Sequence, residues 1–209
     1  VAPSGDLPVR NKGAAVAAIR ILIAEDNDLV SLTLEEQLKG LGYDVIGIAR
    51  SGAEAVSLAG RLRPDLIIMD IRMPEMEGTE AANRIREIYP VPIIMLTAYA
   101  DKETIKKAET SGALAYLVKP VNENELPPAI NIALARFREI QALRHQVSEL
   151  EESLEARKLI ERAKGILMQR LGLNEREAYE RLRQRARDKR ARMKDIAQAI
   201  IEAEELLGQ

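Results

Sequence analysis

Five charged or hydroxylated residues stand directly behind short apolar runs rich in β-branched side chains. Glu25 and Asp26 follow RILIA, Asp70 follows LIIM, Thr97 follows IIML and Lys119 follows AYLV. The chain has no cysteine and one histidine, His145. That excludes thiolate sites, disulfides and the imidazole clusters of zinc enzymes, and it leaves carboxylates, hydroxyls, lysine and arginine to carry any chemistry. Three carboxylates brought to one place repel each other and raise one another's pKa unless a cation sits among them. Oxygen ligands without imidazole or thiolate select a hard ion such as Mg2+, which takes one or two carboxylates, water and phosphate. An aspartate held by such an ion, faced by a lysine and a threonine hydroxyl, is equipped to attack a phosphoryl donor. Lys119 would neutralise the transferred oxygens and Thr97 would donate to one of them. A single aspartate after a strand is often only a helix cap; polar groups on four strand ends together point beyond that.

Those groups must be positioned by the apolar runs themselves, at 20–24, 44–48, 66–69, 93–96 and 115–118, which alternate with amphipathic helical stretches. Short, nearly continuous apolar strands between helices predict a parallel sheet covered on both faces, hence a doubly wound α/β domain that ends in a fifth helix. Ligands in such folds bind beyond the carboxyl ends of the strands. Glu25-Asp26, Asp70, Thr97-Ala98 and Lys119-Pro120 therefore converge on one rim.

The segments ILIAED, DLIIMDIRMPEMEG, LTAYAD and AYLVKP, in that order, resemble the receiver domain of two-component response regulators over about residues 20–138. The resemblance implies a five-stranded, flavodoxin-like sheet of order 2-1-3-4-5 within a domain spanning 19–138. It implies that Asp70 accepts a phosphoryl group from a histidine kinase. Asp26, Asp70, the Arg72 backbone carbonyl and, through water, Glu25 would position Mg2+. Thr97, with Ala98 beside it, and Lys119 would grip the phosphoryl group, Tyr116 would turn inward on activation, and the peptide bond before Pro120 would be cis. Glu25 stands where the family often has aspartate. Phosphohydrolases with an aspartate nucleophile on a similar sheet place a second aspartate two residues later; here that position is Arg72, so the expectation is a slow switch and not an enzyme.

The remainder of the chain differs in charge. Residues 1–156 hold 17 basic and 24 acidic side chains, whereas 157–209 hold 14 basic and 9 acidic ones. An acidic front and a basic back point to two modules, the second facing a polyanion. Residues 1–18 have no apolar period and read as a flexible arm. No apolar run approaches the ~18 residues a membrane span requires, and the expected location is cytoplasmic. From about residue 123 the apolar spacing becomes helical, with no breaker over 129–164. Ile140, Leu143, Val147, Leu150 and Leu154 alternate three and four apart, the seam of a coiled coil. This linker, 139–156, is expected to pair protomers into a homodimer on activation, the alternative being a seam against another helix of the same chain. Leu171-Gly172-Leu173 ends the period, and Asn174 with Glu177 signals a new helix over about 175–188, with another over about 193–206.

The pattern RxxIxxAKGxLM at 157–168, then Ala178-Tyr179, Leu182-Arg183, Ala186 and the stretch 193–197, resemble the ANTAR domain, the RNA-binding module of transcription antitermination regulators. The domain would occupy 157–209 as a small three-helix all-α unit, with Arg187 as a departure from the usual apolar or small residue. The resemblance implies binding to hairpin RNA, whose loop bases can be splayed and read as duplex grooves cannot. Ala163, Gly165 and Ala186 would let a helix approach a loop, with Lys164, Arg183, Arg185 and Arg190 on its phosphates, while Tyr179 would be core. For Gly165 and the alanines, helix packing is an equal alternative. A DNA-binding regulator and a phosphorylation-dependent protein-interaction module are the competing readings, and His145 reads as a solvent-facing position.

Overall fold

The structure, a computed structural model, describes residues 18–98 and 113–207. The arm over 1–17 and the helix expected between the fourth and fifth strands lie outside the described residues. The elements, in chain order, are β1 (Arg20–Ala24), α1 (Asp28–Gly40), β2 (Asp44–Ala49), α2 (Gly52–Leu62), β3 (Leu66–Asp70), α3 (Gly78–Ile88), β4 (Ile93–Thr97), β5 (Ala115–Val118), a 3-10 turn (Glu123–Glu125), α4 (Leu126–Leu171), α5 (Glu175–Lys189) and α6 (Met193–Leu207). The chain divides into two compact units between Glu139 and Ile140.

The first unit is a five-stranded, all-parallel sheet of order β2-β1-β3-β4-β5, as the receiver resemblance implies. Alternation along the strands separates two cores. Leu22, Ala24, Ile67, Met69, Ile93 and Met95 face α2 and α3. Ile21, Ile23, Leu66, Ile68, Ile94 and Leu96 face α1 and the first turns of α4. β3 and β4 are buried along their whole length, which is why their sequences read as continuous apolar runs. The register pairs Ala24 with Met69, Asp70 with Leu96 and Thr97 with Val118, so the strand ends form a common rim.

α4 starts at Leu126 because Asn122 and Glu125 form a reciprocal cap around the 3-10 turn, and Pro127 and Pro128 occupy its first turn, where a missing N–H costs nothing. Leu126, Ala129, Ile130, Ala133 and Leu134 bury one face of its beginning.

In the second unit, the later turns of α4 pack with α5 and α6 around Ala163, Leu182, Ala186, Ile196, Ala197 and Ile201. Gly172, at φ 67, ends α4, and the Asn174 side chain accepts from the Glu177 N–H while Glu177 accepts from the Asn174 N–H, starting α5. Over Ile140, Leu143, Val147, Leu150 and Leu154 the seam is exposed among the described residues. No helix among the described residues is long and apolar enough to cross a membrane.

Candidate functional site

Two of the rim carboxylates meet around one ammonium group. Lys119 Nζ lies 2.5 Å from Glu25 Oε2 and 2.7 Å from Asp70 Oδ2. Lys119 leaves the end of β5 through the backbone bond from its N–H to the Thr97 carbonyl, 2.8 Å, and the next peptide bond, Lys119–Pro120, is cis. Glu25 is anchored by its N–H, which donates to the Ala49 carbonyl at 2.9 Å, and its side chain is 1% exposed. Burial raises the Glu25 carboxyl above its ordinary pKa; Lys119 pulls it down and Asp70 pushes it up. Burial likewise draws the Lys119 ammonium down, but its hydrogen bonds to Asp70 and Glu25 outweigh this and hold it raised.

Carboxylate oxygens of Glu25, Asp26 and Asp70 come within 4.8 Å of one another, with Asp26 exposed and Glu25 and Asp70 buried. The Arg72 N–H donates to Asp70 Oδ1 at 3.3 Å. Thr97, 5% exposed, ends β4 beside the cluster, followed by Ala98. Tyr116 is partly buried against the α2–α3 core. All of the polar rim residues singled out from the sequence thus lie at one end of one sheet.

The loop after β3 is shaped by packing that the sequence signalled only through its glycines. A Cβ on Gly78 would lie 1.9 Å from the Asp70 carbonyl oxygen, and one on Gly52 would lie 2.3 Å from the Met76 carbonyl oxygen. Between them Glu75 adopts φ 64, while the Met76 N–H donates to the Pro74 carbonyl at 2.7 Å. Ser51 Oγ caps α2 through the Glu54 N–H and also donates to Glu75 Oε2 at 3.4 Å. These contacts press the starts of α2 and α3 against the segment that carries Asp70.

The second unit sorts its candidate residues differently from the sequence reading. Ala163 and Ala186 are 0% and 7% exposed in the core, so they pack helices and present nothing to a loop. Lys164, expected on phosphates, is turned inward: its Nζ lies 2.9 Å from Glu161 Oε2 and 2.7 Å from Glu175 Oε1. The partner Glu175 comes from across the α4–α5 turn, a pairing invisible to helical spacing. Gly165 is exposed, and an added Cβ would meet nothing within 4 Å; packing does not explain it. Arg183, Arg185 and Arg190 are exposed, but Arg185, two positions from Arg183, stands on a different side of α5.

The face that α5 leaves open adds Arg176 and Tyr179 to the arginines that the sequence already singled out. Arg176, Arg183 and Arg187 follow at intervals of seven and four, one helical face, with Tyr179 on its edge, and Arg190 follows as the left-handed cap of α5 at φ 50. Tyr179, expected in the core, is 43% exposed. Among the described residues Arg176, Arg187 and Arg190 make no ion pair, and Arg183 has only a 3.5 Å contact with Glu180. The interval pattern was readable; what hid it was the uniform density of arginine along α5.

Comparisons with known proteins follow the same division. Residues 21–131 match the model of the response regulator receiver domain, and residues 148–201 match that of the ANTAR domain. The chain is 44% identical over 195 residues to the transcriptional regulatory protein PdtaR of Mycobacterium tuberculosis strain H37Rv, covering 93% of this chain and 95% of that protein. Among solved structures, the signal receiver domain of a modulated diguanylate cyclase from Desulfovibrio desulfuricans G20 is similar with TM-score 0.55 and 38% identity, over 58% of this chain and 97% of that one. The receiver domain of the sensor histidine kinase PA1611 from Pseudomonas aeruginosa PAO1, with a magnesium ion coordinated in its active-site cleft, has TM-score 0.53 and 35% identity, over 57% and 99% of the two chains.

Proposed function

The chain belongs to the response regulator family, its receiver domain continuing into an ANTAR domain, and on that premise we propose that phosphorylation of Asp70 controls an RNA-binding antiterminator. The observation that carries the reading is the Lys119 ammonium held between Glu25 and Asp70. In the resting protein it balances two carboxylates, and it stands ready beside the oxygens of a group transferred to Asp70.

In the proposed step an Asp70 carboxylate oxygen forms a bond to phosphorus while the P–N bond of a kinase phosphohistidine breaks, and the imidazole leaves with the electron pair. The all-oxygen set Glu25, Asp26 and Asp70 fits Mg2+, with the Arg72 carbonyl as a further ligand. Bound there, the ion would neutralise charge on the phosphoryl oxygens. Lys119 would exchange its bond to Asp70 for one to a phosphoryl oxygen, and Thr97 would donate its hydroxyl to another, drawing Tyr116 inward. Arg72 offers no carboxylate to activate water two residues beyond Asp70, which favours a long-lived phosphoryl state.

The output would be binding to hairpin RNA in nascent transcripts, in the cytoplasm. Arg176, Arg183, Arg187 and Arg190 would hold phosphates, and Gly165 would admit close approach of the loop backbone. The exposed seam on α4 would pair two copies on activation, presenting two RNA-binding units.

Incubation with acetyl phosphate and Mg2+ followed by peptide mass spectrometry tests the first step. The wild-type protein should gain one phosphoryl group on Asp70 and the Asp70→Asn variant none. Labelling elsewhere, or none at all, would remove the basis for this switch.

A further inference from the structure

We propose that Tyr179 seats one unpaired nucleobase, its ring stacking on the base while Arg176 and Arg183 hold the phosphates to either side. The inference rests on the RNA-binding reading above and names how that surface reads a base.

Tyr179 is 43% exposed although its neighbours Ala178 and Leu182 on α5 are fully buried. A large aromatic ring left in water on a small domain forgoes much of the burial that would stabilise the fold. Among the described residues its hydroxyl makes no hydrogen bond. Arg176 precedes it by three residues and Arg183 follows it by four, so all three side chains lie together on the helix surface.

The ring borders a shallow depression shared with Glu161, Lys164, Asn174, Glu175 and Arg176. Its floor is Lys164, 5% exposed, whose ammonium is tied to Glu161 and Glu175. With its charge matched, that lysine adds little attraction for phosphate; it fixes the carboxylates in place. Glu175 keeps its side chain 73% exposed, so an oxygen remains available to accept from a base stacked on Tyr179. A carboxylate there can accept from an exocyclic amino group or a ring N–H of the seated base. Stacking on an aromatic ring flanked by arginine is the general means by which proteins hold single-stranded bases.

The test uses the full chain and a synthetic stem-loop RNA carrying 2-aminopurine at each loop position in turn. Binding should quench the fluorescence at one loop position. Tyr179→Phe should keep the quench, and Tyr179→Leu should lose it and weaken binding roughly tenfold or more. The slope of log affinity against log salt should be unchanged in Tyr179→Leu and shallower by about one in Arg183→Gln. If Tyr179→Leu binds and quenches like wild type, the base seat is wrong while RNA binding stands. If the wild-type chain does not distinguish the stem-loop from a blunt duplex at either of two salt concentrations, the RNA reading fails and the base seat with it.

Discussion

At the scale of residues, one lysine sets the state of the acidic pocket. Glu25 is buried, and with Lys119 removed it faces Asp70 without a counter-charge. Lys119→Met should therefore lower stability at neutral pH by about 3 kcal/mol, the cost of leaving a buried charge unpaired. Millimolar Mg2+ should recover part of that loss by binding the folded state alone. Urea unfolding with and without the ion measures both effects, and a variant as stable as wild type would show that the pair does not hold the pocket. Glu25, Asp26, Asp70, Thr97 and Lys119 were legible in the sequence because each lies at the end of a strand, and parallel strands place their ends together. Lys164 was not legible, because the carboxylate that captures it arrives from beyond a turn.

At the scale of elements, two glycines behave oppositely. Gly78 starts α3 against the Asp70 carbonyl oxygen. A methyl group there must push the helix off the loop, so Gly78→Ala should destabilise the receiver unit by about 2 kcal/mol or more and slow labelling of Asp70 by acetyl phosphate. Gly165 sits inside α4 facing open space, where glycine costs a helix about 1 kcal/mol relative to alanine. Gly165→Ala should accordingly raise the thermal stability of the helical unit, and a simultaneous fall in RNA affinity would show that the glycine serves close approach. Neither outcome is expected from a packing role.

The second unit holds ion pairs that depend on pH, two of them between helices, Lys164–Glu175 and Lys194–Glu152, and one, Arg192–Asp195, at the start of α6. Lys164 holds Glu175, Lys194 holds Glu152 and Arg192 holds Asp195 below their ordinary carboxyl range. Each of these groups loses its proton more readily in the folded state. Their contribution is therefore present above the ordinary carboxyl range and fades as pH falls through the lowered values. Protection of the α5 and α6 amides, taken against their intrinsic exchange rates, should fall as pH drops below the ordinary carboxyl range. Protection that stays constant through that drop would mean the pairs contribute nothing.

At the scale of the whole molecule, the exposed seam and the charge polarity stand out. Leu150 is 70% exposed in the middle of the seam, with Leu143, Val147 and Leu154 each exposed by more than half. Two heptads are short for a stable pair, so the association should be weak and dependent on phosphorylation. Sedimentation of Leu150→Asp should give a monomer with or without acetyl phosphate, with unchanged helicity. A dimer that persists would place the contact elsewhere.

The sequence by itself determined the sheet, the acidic rim, the long helix and the turn that begins α5. Those features follow from local rules: alternation along a strand, helical periodicity, and caps that satisfy backbone groups within a few residues. Only the tertiary structure decided which face of α5 is open, that Tyr179 lies on it and that Lys164 is spent on Glu161 and Glu175. In a short helix where arginine occurs on most sides, composition does not say which side is covered. That depends on where α4 and α6 place Ala163 and Ala197 against Leu182 and Ala186, a matter of packing between segments distant in sequence.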